Sequence, residues 1–530
     1  MSEYEPEIQT YRWFEIIFCK GFLSKTDIVH QVKERKEENF MAEEKVVKQQ
    51  NAANEMKSSL TLKHKLGYGA GDAGGVATLV LIGTFMNRYL TNVLGIPFAT
   101  LSILLLVWNI WDMVNDPMMG TIMDKSFSKA HGQKDKFRPW MLRSIPLIVI
   151  GLIAFFSVPS MFDGMMRLVA IFLLKVIYEL GYTMMNIAMG SVLGVMALND
   201  RERTTLSSAR GMGSTVGGLI SSMIIPVILS RLGENTTGYM VSGIFAAVLG
   251  GALIFFHYWG TEERNVAAKL AAEEQTEPTK VTDIFVTLAK NKAFLSLCLH
   301  SIVIVFGSTL FNTTLPYIYG DVFGDIGLMG TAALIGQGLP VILLLIAPYL
   351  VKFIGSTVKV IRTYLLLSAA IFIGLYVWKL VGDLPPFLYM VSASVGIAFM
   401  LMSVQLQWGL VSESIDYNEY ITGKRSEGSI YGNFSLTRRL GQMLAQSLVV
   451  LMIGWIGYSQ QAAQAGQAQS AQAVEGLVLM NLVGPAVCAL LSWVSFKFIW
   501  NITDETREAM TSARLARLEE FDKKNDEPEV

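Results

Sequence analysis

Two aspartates one helical turn apart are the residues in this chain best placed to do chemistry. They lie in Trp108-Asn-Ile-Trp-Asp112-Met-Val-Asn115-Asp116-Pro117-Met-Met-Gly120, inside a long apolar stretch. A spacing of four puts Asp112 and Asp116 on one helix face, about 6 Å apart along the axis. At membrane depth two carboxylates repel each other and lose hydration, so one takes a proton or a cation sits between them. Asn115 adds a neutral oxygen on nearly the same face. The set is an all-oxygen, anionic cage suited to a hard cation such as Na⁺, or to a proton. The competing arrangement has both acids in water near the helix end, which Asp124 and Lys125 mark about two turns on.

A second polar stripe runs through Lys175, Glu179, Thr183, Asn186 and Gly190, at spacings of four, four, three and four that keep one face. Lys175 and Glu179 can pair, which lowers the cost of placing both in lipid. Thr183 offers a hydroxyl to a cation, and Asn186 can donate to and accept from sugar hydroxyls. The alternative is a structural ion pair beside a packing face of Thr and Gly. Arg210 is near a helix end, where a long side chain can snorkel. Arg438 and Arg439 are deeper; an inward guanidinium there would bind hydroxyls or a substrate carboxylate. Asp72, in GYGAGDAGG, sits on a glycine-rich segment that is equally a close-packing surface. His300, Asn312, Gln337, Gln405, Gln407 and Trp408 are further cavity candidates, each equally explained as an inter-helix contact.

The elements that position these residues follow from composition. Of 530 residues 52 % are hydrophobic and 16 % charged, with a mean hydropathy of +0.42. Such a chain uses lipid as solvent. A net charge of −1 argues against nucleic acid as a partner. Cys19, Cys298 and Cys488 form no CxxC pair, and no phosphate-cradling loop is present, so zinc and ATP are not indicated. No convincing catalytic constellation is found, and the chain is read as a carrier rather than an enzyme.

Twelve apolar stretches are each long enough to span: 66–92, 98–123, 139–159, 166–197, 204–230, 239–260, 293–319, 327–351, 359–380, 386–411, 430–457 and 475–500. Lys and Arg gather in the even-numbered loops, with Arg231 and Lys379 as mild exceptions, which places both termini in the cytoplasm. The expected organisation is a cytoplasmic tail (1–60), a six-helix bundle (61–260), a charged cytoplasmic linker (261–292), a second six-helix bundle (293–500) and a cytoplasmic tail (501–530). Met41 begins MAEEKVVKQQ, so residues 1–40 are expected to be a mis-assigned start or an expendable extension.

Three motifs in order then carry a resemblance. IWDMVNDPMMG with a basic loop ending in KFRPW, NDRERTTLSSAR after the fourth span, and DYNEYITGKRSEG before the eleventh resemble the glycoside–pentoside–hexuronide:cation symporters, the group that includes the melibiose permease. The likeness covers roughly 62–500. It implies an all-α membrane protein with twelve transmembrane helices in two pseudo-symmetric six-helix bundles, the major facilitator type. It places the family's cation site on Asp112, Asn115, Asp116 and Thr183, with Na⁺ held by Asp112 and Asp116 if sodium is the ion. It places substrate contacts on Asn186, Arg210 and Arg439, beside which the residue patterns add Lys175, Glu179 and Asp72. Val76, Ala188 and Gly190 depart from the pattern of the melibiose-type members.

The expected function is cation-coupled (Na⁺ or H⁺) symport of a sugar or glycoside by alternating access, in a bacterial inner membrane, by a monomer without a cofactor. An arginine-rich, acid-poor pocket would favour a hexuronide. Asp124, Lys125, Arg138, Asp416, Glu419 and Arg425 are expected to form the charge pairs that close the cytoplasmic side. The rivals are a carrier of the same fold for a lipid or amphipathic solute and a non-transporting membrane sensor.

Overall fold

The computed structural model describes residues 60–127, 135, 137–197, 200–264, 291–422, 427–510, 512 and 513. The expectations for residues 1–40, for most of the linker and for Arg425 fall outside them, as do those for the side chains of Asp124, Lys125 and Gln337. Within the described residues there are twelve long helices and no strand. They are α1 (Leu62–Val93), α2 (Phe98–Phe127), α3 (Arg138–Phe155), α4 (Gly164–Met196), α5 (Asp200–Leu232), α6 (Thr236–Gly260), α7 (Lys292–Val322), α8 (Leu328–Ile354), α9 (Thr357–Val381), α10 (Pro386–Thr422), α11 (Glu427–Trp455) and α12 (Ala471–Ile499). Ten are apolar and long enough to cross a membrane by composition; α8 and α11 complete the set.

The surface chemistry is that of a protein in lipid. Ile103, Phe353, Trp455 and Phe498 are exposed, whereas Tyr68, Tyr89, Tyr178 and Tyr239 are fully buried. Helices satisfy their own backbone, so this exterior needs no water.

The helices form two groups. α1 packs on α5 and α6, and α3 on α4 and α6; in the other half α7 packs on α11 and α12, and α9 on α10 and α12. The halves meet where α2 lies against α11 and α5 against α8. The packing alternative for the glycine-rich segment is realised: a Cβ on Gly213 would lie 1.9 Å from the carbonyl oxygen of Gly69, and one on Gly217 would lie 2.1 Å from that of Ala73. Only a missing side chain lets α1 and α5 approach so closely.

An internal repeat confirms the relation between the halves. α1 ends in the π-helical turn Tyr89–Val93 and α7 in Ile318–Val322. Leu94 N donates to Tyr89 O and Ile96 N to Leu90 O, while Phe323 N donates to Ile318 O and Asp325 N to Tyr319 O. Gly95 and Gly324 follow with φ of 69° and 73°. Two segments that share Val93/Val322 and Gly95/Gly324 therefore leave the bundle by one geometry, as internal repeats of transporters do.

One element differs from expectation. α10 runs on to Thr422, so Asp416 and Glu419 are helical rather than part of a loop. No proline or glycine occurs between Gly409 and Gly423, and a helix leaving lipid persists when its exposed face is polar.

Gly213→Ala should destabilise the protein by about 1–3 kcal/mol through overpacking. Gly374→Ala, where a Cβ meets nothing within 4 Å, should be neutral or mildly stabilising. Thermal unfolding of both purified variants in detergent checks the contrast.

Candidate functional site

Between the halves lies a cavity of about 430 Å³. α1 contributes Asn87 and Gly83, α2 Trp108, Asn109, Asp112 and Asp116, α4 Lys175, Glu179, Tyr182, Thr183 and Asn186, and α11 Arg438, Arg439, Gln442 and Gln446. The stripes on α2 and α4 thus face each other across one space, as their spacing requires.

At its floor a short hydrogen-bond chain joins the helices. Asn115, fully buried, donates from Nδ2 to Thr183 Oγ1 at 2.9 Å. Thr183 donates in turn to Asp116 Oδ1 at 3.1 Å. From the opposite half, Arg439 Nη1 donates to Asp116 Oδ2 at 2.8 Å. The two acids were expected to need a proton or a free cation between them; the fold supplies a third solution, a tethered guanidinium on one of them. Two oxygens remain buried without a hydrogen-bond partner, Asp112 Oδ1 and Asn115 Oδ1.

Lys175 and Glu179 form the expected ion pair, and Lys175 Nζ also stands 5.5 Å from the centre of the Trp108 ring. Both charged residues line the cavity, so their pairing does not remove them from the site. Arg210 and Asp72 are brought together at 3.4 Å and lie off the cavity lining, binding α5 to α1. Arg210 reaches Asn186 Oδ1 only at 3.4 Å.

The expectation of an acid-poor pocket is corrected. Among the described residues the lining holds Asp112, Asp116 and Glu179 against Lys175, Arg438 and Arg439, three formal charges of each sign. Opposite charges gather because each lowers the cost of burying the other.

Several lining residues escaped the sequence patterns. Asn109 Nδ2 donates to Gln446 Oε1 at 2.9 Å, tying α2 to α11. Trp108, one turn before Asp112, and Tyr182, beside Thr183, supply aromatic faces. A stripe was legible on α11: Arg439, Gln442 and Gln446 follow at spacings of three and four.

Of the residues expected to close one end, Arg138 bonds Asp135 and donates from Nη2 to Tyr258 O at 2.7 Å, contacts within its own half. Nearby, Arg264 pairs with Glu202 at 2.9 Å and Arg507 with Glu413 at 2.5 Å, again each within one half. Asp416 and Glu419 lie on the adjoining turns of α10.

Comparison with known proteins shows the family and the fold. Residues 67–504 match the family model described as MFS/sugar transport protein. An uncharacterized symporter of Bacillus subtilis (strain 168), YjmB, is 30 % identical over 455 residues, covering 85 % of this chain and 95 % of that protein. A glucuronide carrier protein homolog of Escherichia coli (strain K12) is 25 % identical over 406 residues, 75 % of this chain and 85 % of that one. Among solved structures, the nucleoside transporter NupG superposes with a TM-score of 0.55 at 14 % identity, covering 83 % of this chain and all of that one, a likeness of fold. The chain is a multi-pass membrane transporter that belongs to the MFS/sugar transport protein family, consistent with the symporter resemblance carried by its motifs.

Proposed function

We propose that this protein couples the entry of a cation to that of an acidic glycoside, by alternating access around the cavity between its halves. The single observation that carries the reading is the grip on Asp116: Thr183 holds one carboxylate oxygen from α4 and Arg439 the other from α11. A cation arriving at Asp112 and Asp116 competes directly with Arg439. The unpartnered oxygens of Asp112 and Asn115, with Thr183, are the donors it would meet. All are hard oxygen ligands, as Na⁺ prefers, and a carboxylate there also accepts a proton.

Charge then links ion to substrate. The lining is formally balanced before anything binds. A cation that takes over Asp116 releases Arg439 and leaves one positive charge in surplus. A glycoside bearing one carboxylate restores the balance; a neutral glycoside does not. The name of the glucuronide carrier relative points to the same class of solute. Asn186, Asn87, Gln442 and Gln446 are placed for sugar hydroxyls, and Trp108 and Tyr182 for the apolar face of a ring. Coupling arises because each ligand favours the state in which the other has already changed Arg439's partner. A lining this rich in charge and amides argues against a lipid cargo. The Lys/Arg bias of the even-numbered loops supports cytoplasmic termini in a bacterial inner membrane, and one copy supplies the whole cavity.

Uptake of labelled glycosides into proteoliposomes, with and without an inward Na⁺ or H⁺ gradient, tests the reading. Asp112→Asn and Asp116→Asn should each abolish gradient-driven accumulation while exchange partly survives; undiminished accumulation in both would refute the coupling site. Arg439→Gln removes the tethered competitor. It should raise apparent cation affinity roughly tenfold, the worth of about one charge-assisted hydrogen bond. It should also weaken uptake of a glucuronide more than that of a neutral glycoside. The cation and substrate dependence of initial rates measures both effects.

A further inference from the structure

At the end of the bundle away from Leu62 and Ile499, a second charged cluster joins the halves. Arg88 of α1 is 3 % exposed. Its Nε and Nη2 both donate to Glu234, the latter at 3.0 Å, and its Nη1 and Nη2 both donate to Asp321, the latter at 3.3 Å. Glu234 sits between α5 and α6, in the same half as Arg88; Asp321 ends α7, in the other half. Tyr458, just beyond α11, donates to Asp321 Oδ2 at 2.9 Å and accepts from Asn92 Nδ2 at 2.7 Å. Asn92 and Asp321 occupy corresponding places in the repeated π-helical turns, so the cluster stands where the two halves mirror each other. Gly320 is required for the approach, since a Cβ there would lie 2.2 Å from Arg88 Nη2. Above it opens a cavity of about 730 Å³ lined by Asn92, Asn235, Gln464 and Gln467 beside the three charges.

One guanidinium between two carboxylates has a consequence in a protein whose halves must part. Asp321 leaves with α7 and enters the polar cavity, where water receives it. Arg88 would be left as an unpaired buried charge, which is strongly unfavourable. Glu234 travels with Arg88 and keeps it paired by two bonds to one carboxylate. The π-helical turns beside both partners are the kind of local irregularity found where helices must adjust.

We propose that Arg88, Glu234 and Asp321 form a two-carboxylate latch that closes the transport pathway at this end, in which Asp321 locks the closed state and Glu234 holds Arg88 in the open one. The assignment rests on the alternating-access reading, and it gives the two acids opposite effects. Neutralising Asp321 weakens only the closed state. Neutralising Glu234 leaves Arg88 its Asp321 partner when closed but none when open, so the closed state gains. A cluster that merely braced the fold would respond alike to both.

The test needs neither substrate nor cation. A Gly83→Cys probe lines the central cavity, where a Cβ meets nothing within 4 Å. It is placed in a full-length protein whose own cysteines are serine, and labelled in membrane vesicles by an impermeant maleimide added from the latch side. Asp321→Asn should label about tenfold faster than the parent and Glu234→Gln about tenfold slower, with Asp321→Glu close to the parent. Acceleration by both substitutions, or an unchanged rate with either, overturns the latch. Because labelling is independent of coupling, absence of cation-driven uptake alongside the opposed rates would reject the symport reading and leave the latch standing.

Discussion

Asp116 cannot be satisfied by its own half of the molecule alone. Thr183 takes one of its oxygens, and the other is taken by Arg439, which reaches across from α11. A half-buried carboxylate gains from a partner on each oxygen, and here those partners belong to bodies that move relative to each other in transporters of this architecture. Asp116 is thereby a bond between the halves. Whatever replaces Arg439 on Asp116 changes the attraction between α2 and α11, which is how binding at one atom biases a global arrangement.

The same logic recurs around Arg88 with another distribution of charge. In the central site one acid is shared between a donor from its own half and a base from the other. In the outer cluster one base is shared between an acid from its own half and an acid from the other. In both places one member keeps a partner from its own half when the cross-half bond breaks: Asp116 keeps Thr183, and Arg88 keeps Glu234. Isolated buried charges are too unfavourable to appear on a transport cycle, and paired alternatives keep the barriers low.

The remaining architecture keeps these pairs aligned. Glycine contacts between α1 and α5 weld the first half into one body, so that Arg88, at the far end of α1, moves with Glu234. Buried polar pairs such as Tyr389 with Asn481 and Ser296 with Ser495 join helices of the second half. In lipid, where apolar side chains gain little by meeting one another, such close packing and internal hydrogen bonds hold helices together. No group of three or more His, Cys, Asp or Glu side chains suited to a metal ion occurs among the described residues.

Much of this was legible in the chain alone, because local rules apply within a single helix. Apolar length determined the spans, and i, i+4 spacing put Asp112 with Asp116 and Lys175 with Glu179. The motifs identified the family to which residues 67–504 belong. What spacing cannot say is which face of one helix meets which face of another. That Arg439 sits on Asp116, that Arg210 is tied to Asp72 away from the cavity, and that Arg88 lies between two acids were decided by packing. Each joins residues distant in sequence, and their partnerships follow from how whole helices are oriented. Periodicity assigned the charges to faces; only the assembled bundle decided which of them would meet.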